Sequence, residues 1–266
     1  ALVTNPADTP LANLMVSDVI SSLTSTDQEE VARLAARYNL LAIPVTDESN
    51  CLVGIVTIDD VIDVIREEAT EDILKMAGAD ETAFESQSIW KNLRVRSPWL
   101  LATWLGGLGA SVLIGVFEHQ LKATVALAAF IPIVLGMGGN VGTQTATIIV
   151  RGLATGQVSE GVGLQYLFRE MGVGVLLGIL YGGLLGIYTM VVYGGAENVF
   201  QLAITVGVSV FASMAMSATV GATTPLMFER LRIDPAVATG PIVTTTVDVL
   251  GILVYFLVAN LVIGGL

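Results

Sequence analysis

The 266 residues are 53% hydrophobic with a mean hydropathy of +0.75, and only 14% are charged, which excludes an ordinary soluble protein and points to several membrane spans. Residues 1–98 hold 17 of the 24 acids and 7 of the 12 bases, a local net charge of −10, whereas residues 99–266 hold 26 of the 28 glycines. A negative soluble segment of that kind disfavours nucleic acid and anionic lipid headgroups and leaves two readings open, a solvated acidic surface or a partner for cations. The single Cys51 excludes an internal disulfide and fits a cytosolic setting. The chain opens on Ala1, and residues 1–30 lack a basic stretch followed by an apolar one, so no signal peptide is expected there and the sequence reads as a fragment.

Residues 10–70 alternate short apolar runs with helical patterns, in the order strand–helix–strand–strand–helix. "TDQEEVARLAARYN" suggests a helix capped by Thr26 with Glu29 three residues on, and with Val31, Leu34, Ala35 and Tyr38 on one face. "LLAIPV" and "CLVGIV" read as strands around the "TDESN" turn. "TIDDVIDVIREEA" reads as a helix with Asp59 and Asp60 in its first turn, where carboxylates suit the helix dipole. So small a unit cannot cover its own sheet and is expected to pair with a second copy. Residues 70–98 read as an acidic connecting helix that leads through a basic stretch to the membrane.

Five spans follow, at about 99–117, 124–150, 163–192, 200–227 and 236–263, each long enough to cross a hydrocarbon core. Lys91, Arg94 and Arg96 precede the first, Arg151 follows the second, Arg169 opens the third, and Arg230 and Arg232 follow the fourth. Basic residues favour the cytosolic side, which predicts a multi-pass protein of the inner (plasma) membrane with its amino terminus cytosolic and its carboxyl terminus outside. Only Lys122 then lies outside. His119, beside Glu118 in an outer loop, reads as ordinary solvation.

Within these spans Asp248 is the only acid placed deep; Glu170, Glu229 and Asp234 fall near the expected cytosolic boundary. A central acid makes insertion less favourable by roughly 2.5–3.5 kcal/mol, so it faces a bundle interior or a wet path. It is either a neutral Asp bonded to a neighbouring helix or a cation site. Thr244 shares its helix face, and Gly240 and Pro241 loosen the turn before it. The second span carries "IPIVLGMGGNVGTQTATIIVRGLATG", where glycines permit close helix approach and Asn140, Thr143, Gln144 and Thr145 add uncharged hydrogen-bonding groups. One carboxylate per chain is thin for a divalent ion, but a twofold homodimer would place two copies of Asp248 on its axis. Two carboxylates with retained water suit Mg2+, whereas soft metals would need thiolate or imidazole, which no span contains.

The stretches "PIVLGMGGNVGTQTAT…VRGLATG" and "DPAVATGPIVTTTVDVLGILVYF" resemble the two signature stretches of the MgtE magnesium channels, a family related to animal solute carriers. Residues 1–69 resemble the second of that family's paired CBS repeats, 70–98 its connecting "plug" helix, and 99–266 its pore domain. The resemblance implies a membrane α-helical homodimer with five transmembrane helices per subunit, preceded by a small α/β CBS repeat, and a pore lined by the second and fifth spans. It implies Mg2+ uptake down its electrochemical gradient, with no enzyme activity. Asp248 matches the pore aspartate that binds hydrated Mg2+, and Thr244 matches a position that contributes a backbone carbonyl there. Regulatory Mg2+ is implied at Glu29, Ala36 (carbonyl), Asp60, Asp63, Glu71, Asp72 and Asp234, closing the pore when cytosolic Mg2+ is high. Asn39 stands where the family has an aspartate, and Gly240 where it often has Asn. The family's amino-terminal helical domain and first CBS repeat have no counterpart in these residues, which implies weakened gating. Some CBS pairs bind adenine nucleotides; Thr57 and Asp60 have a spacing suited to a ribose contact, but the same residues make an ordinary helix start. Two other classes compete: a proton- or sodium-coupled secondary transporter of divalent cations, and an intramembrane enzyme, for which no H-E-x-x-H motif or partner aspartate is present.

Overall fold

The computed structural model describes residues 6, 8–16, 18–80, 82, 88–158, 162–195 and 198–263. It divides into two compact units, residues 1–69 and 70–266, and each is described by itself.

In the first unit β1 (Ser22–Leu23) pairs parallel with β2 (Ala42–Thr46), which pairs antiparallel with β3 (Leu52–Thr57). Between β1 and β2 lies α1 (Gln28–Tyr38), and after β3 the chain enters α2 (Ile58–Met76). Asp27, not Thr26, caps α1: its carboxylate accepts from Glu29 N at 2.9 Å. Thr26 is diverted because its hydroxyl accepts from Leu23 N at 3.1 Å, closing the turn after β1. Glu29 is therefore left to pair with Arg33 at 2.7 Å, one helical turn on. Val31, Ala32, Ala35, Ile43 and Val61 form the small core, with Leu34 packed against it and Tyr38 exposed. Leu52, Val53 and Ile55 of β3 are all more than 60% exposed, so the sheet keeps an uncovered apolar side in this unit.

The second unit takes in the last turns of α2 and five apolar helices: α3 (Ile89–Val116), α5 (Ala126–Ala154), α6 (Gly163–Val192), α7 (Val199–Arg230) and α8 (Pro241–Ile263). A short α4 (Glu118–Ala123) joins the first two, and Glu118 pairs within it with Lys122 at 2.8 Å. All five long helices are long and apolar enough to cross a membrane, so this is a multi-pass membrane fold. Of the acidic connecting segment, residues 81 and 83–87 lie outside the described residues. Its first residues complete α2, Gly78 turns the chain with φ +69°, and α3 starts at Ile89, ten residues before the apolar run.

α7 is central. α6 packs on one side of it, while α5 and α8 pack on the others and α3 leans on α8. Glycine sets the closeness of these contacts. On α6, Gly174, Gly178 and Gly182 recur every fourth residue and are buried against α7. At the α4 end of the bundle Phe117 stacks on Phe256 with centroids 4.8 Å apart, and the Tyr255 hydroxyl donates to Leu127 O at 2.7 Å. Tyr255 is 1% exposed, so Tyr255→Phe strands a buried carbonyl lone pair; a loss of about 1 kcal/mol is expected, read as earlier thermal unfolding in detergent.

Candidate cation site

Asp248 is the seventh residue beyond Pro241, about 10 Å into α8 at 1.5 Å per residue. Pro241 opens this helix, where its missing N–H costs nothing. Val243 and Val247 face α5: a Cβ built on Gly142 would lie 3.2 Å from Val243 and 3.1 Å from Val247. Thr245 faces α3, where a Cβ on Gly106 would collide with its methyl. With successive residues turned by about 100°, Thr244 and Asp248 fall together on the arc between these two packed faces. Both are half-buried.

The Asp248 carboxylate makes no hydrogen bond or ion pair among the described residues. Thr244 differs: its hydroxyl donates to Gly240 O at 3.1 Å and Pro241 O at 3.3 Å, which commits its proton and leaves the oxygen lone pairs free to accept. The helix start is thereby tied down, and the carbonyl of Gly240, which the sequence suggests is loosened, is satisfied.

On α5 the packed face and the amide face are opposite. Gly138, Gly142 and Ala146 are buried, whereas Gly136, Asn140 and Gln144, four residues apart, are exposed along the other side. Neither amide side chain has a hydrogen-bond partner among the described residues, while Thr143 donates to Gly139 O at 2.9 Å. Val247, next to Asp248, touches the positions of both Gly138 and Gly142, so Asp248 lies level with Asn140. An unpartnered carboxylate and an unpartnered amide at one depth of an apolar bundle, with a second amide one turn on, require water, an ion or another chain.

Glu170 is packed inside the helix bundle. It lies seven residues into α6, is 5% exposed, and accepts a long 3.5 Å hydrogen bond from Thr145 of α5. One helical turn decides whether such a residue is wet or buried, and hydropathy does not resolve one turn.

Of the remaining predicted positions, Ala36, Asp60 and Asp63 are exposed in the first unit, and Asp60 accepts from the Thr57 hydroxyl at 2.9 Å. That bond is the ordinary helix start. In the second unit Glu71 and Asp234 are brought together by Lys75. Its ammonium lies 2.5 Å from Glu71 Oε1 and 2.6 Å from Asp234 Oδ2, while Asp234 Oδ1 accepts from Ala236 N at 2.8 Å and caps the 3-10 turn Pro235–Ala238. Burial works to lower the Lys75 pKa, but the bonds to Asp234 and Glu71 outweigh it and hold the amine protonated well above its ordinary range. Asp72 is half-buried beside them. The end of α2 also meets the start of α8, since a Cβ on Gly240 would fall 2.5 Å from Met76 O. A side chain there would meet backbone, which accounts for glycine at this position.

Residues 131–258 match the family model described as a divalent cation transporter, MgtE, and residues 11–67 match the CBS domain. The chain is 38% identical over 260 residues to "Magnesium transporter MgtE" of Bacillus subtilis, covering 97% of this chain and 56% of that one. It is 40% identical over 257 residues to the protein of that name from Thermus thermophilus, covering 96% and 56%. The chain belongs to the MgtE family. A third relative of the same name, from Enterococcus faecalis, is 34% identical over 260 residues, 98% of this chain and 56% of that one. The chain thus spans little more than half the length of each relative, and both Asp248 and the Asn140–Gln144 stripe lie inside the matched membrane domain.

Proposed function

We propose that this chain forms the pore and part of the gate of a magnesium-selective channel. It acts as a homodimer, passing Mg2+ inward down its electrochemical gradient, with the amino terminus cytosolic. The observation that carries this reading is the unpartnered Asp248 carboxylate, level with the unpartnered amide of Asn140. Two copies across a twofold axis would hold a Mg2+ ion that keeps most of its water, because Mg2+ dehydrates reluctantly. The amides would hydrogen-bond that water without adding charge, so the ion is attracted but not trapped.

Regulation would use the acids of the first unit (Glu29, the Ala36 carbonyl, Asp60, Asp63) and those of the second (Glu71, Asp72, Asp234). Bound Mg2+ would favour the closed form by its higher affinity for it. The donor chemistry fits a hard cation, but at Glu71 and Asp234 a divalent ion must displace the Lys75 ammonium. Replacing Lys75 by Met removes the resident cation and leaves two carboxylates facing each other. The pair is partly exposed, so the expected effect is a few-fold: more flux at low cytosolic Mg2+, and closure that depends more steeply on Mg2+. Unchanged Mg2+ dependence in Lys75→Met proteoliposomes would remove Glu71 and Asp234 from the gate.

The buried Glu170 supports a second reading, a proton- or sodium-coupled transporter of divalent cations, because it adds a second buried acid to the helix bundle. Uptake into proteoliposomes under a potential alone separates the two. Passive Mg2+ flux with no proton or sodium gradient is expected of a channel, and an absolute need for either gradient selects the coupled transporter.

A further inference from the structure

A groove of about 510 Å³ lies where α6 begins and α7 ends and shares no residue with the candidate cation site. Leu164 and Leu167 of α6 and Leu226 and Met227 of α7 form its apolar wall, and Glu229 and Arg230 lie at its α7 end. The size is within the range of about 300–1,000 Å³ in which small ligands bind. Leu164 is 63% exposed and Met227 52%, so the wall opens outward at the end of two spans, where hydrocarbon meets the headgroup layer. Neither the Glu229 nor the Arg230 side chain forms an ion pair or hydrogen bond among the described residues.

The geometry points to a binding site for a phospholipid with an ethanolamine headgroup. The leucine wall takes an acyl chain, which a water-soluble ligand lacks. The guanidinium of Arg230 takes the phosphate, the pairing for which a planar fork of N–H donors is suited. Glu229 takes the primary ammonium. The adjacent opposite charges are what discriminates. A glycerol headgroup leaves Glu229 facing a net negative lipid, and a choline headgroup offers a quaternary nitrogen with no N–H to donate. A purely basic rim would instead suit anionic lipids in general. This inference goes beyond the proposed channel and holds whichever ion crosses.

The test is native mass spectrometry of the whole chain released from micelles containing phosphatidylethanolamine, phosphatidylglycerol and phosphatidylcholine in equal amounts with identical acyl chains. Retention of the ethanolamine lipid several-fold above the other two is expected. Arg230→Gln should lower retention of all three by about tenfold, the loss of one charge-assisted contact of about 1.4 kcal/mol. Glu229→Gln should keep total retention while erasing the ethanolamine preference. Thr223→Trp, which fills the groove without touching either charge, should lower retention of the ethanolamine lipid, and thermal unfolding without added lipid checks that each variant is folded. Equal retention of the three lipids by the unmodified chain would overturn the assignment. So would a preference that survives both Glu229→Gln and Thr223→Trp.

Discussion

Asp248→Ala is expected to abolish Mg2+ flux while leaving the fold intact. The carboxylate bonds to nothing among the described residues of its own chain, so removing it breaks no internal contact and frees a half-buried apolar helix from an unpartnered charge. Flux is different. Each subunit loses one charge-assisted contact to the hydrated ion, worth about 1.5–3 kcal/mol, and two such losses reduce occupancy by at least about a hundredfold. Asp248→Asn separates charge from shape, since the amide keeps the size and hydrogen bonding but offers the ion only a dipole. It should also lose most flux, and thermal unfolding of both variants should match or exceed that of the unmodified chain. Full Mg2+ uptake by Asp248→Ala proteoliposomes would show that the ion does not pass this residue.

Gly182→Val should have the largest effect on stability. A Cβ at Gly182 would collide with the carbonyl oxygen of Gly207 on α7, and Gly182 O lies 2.9 Å from where a Cβ on Gly207 would be. Both neighbours are backbone, so no side chain can rotate away, and α6 must move off α7 along a contact that also includes Gly174 and Gly178. Overpacking of this kind costs about 1–3 kcal/mol or more, about 2–4 °C in melting temperature for each kcal/mol in a chain of this size. Gly183, next in sequence, has open space around its Cβ position. Gly183→Val is therefore the control and should cost only what a β-branched residue costs on a lipid-facing helix. Equal melting temperatures for the two variants would mean that glycine closeness does not hold α6 in place.

These two predictions mark what the sequence could and could not disclose. The five spans were legible because nothing but a helix satisfies its backbone in hydrocarbon, so an apolar run of sufficient length has one available structure. Their ends were less legible. Hydropathy reports where lipid begins, not where a helix does, and α3 runs from Ile89 through Lys91, Arg94, Arg96 and Pro98 before its apolar part starts. Asp248 stood out because a charge in an apolar run is costly wherever its helix packs. Glu170 did not, since its burial depends on α6 laying that turn against Thr145, a contact between helices.

The cap of α1 and the bridge at Lys75 fail to show for related reasons. Thr26 and Asp27 are both good caps, and the choice is made by Leu23 N, which takes the Thr26 hydroxyl into the preceding turn. Glu71 and Lys75 have the spacing of a helical ion pair and could have been read as one. Their shared partner Asp234 lies 159 residues from Lys75, and no local pattern carries that distance. The candidate site was therefore visible in its chemistry and not in its counter-charges.

The claim on which the rest depends is that two copies of Asp248 face each other across the width of a hydrated ion. Cys51 is the only cysteine of the chain, so Asp248→Cys in a Cys51→Ser background gives one thiol per subunit. The decisive measurement is reaction of the membrane-embedded variant with a short bifunctional thiol reagent, followed by denaturing electrophoresis. A covalent dimer is the expected result, in far higher yield than the same reagent gives through Cys51 in the unsubstituted chain. Monomer alone, with the thiol shown to be reactive toward a monofunctional reagent, would place the two carboxylates apart and contradict the account.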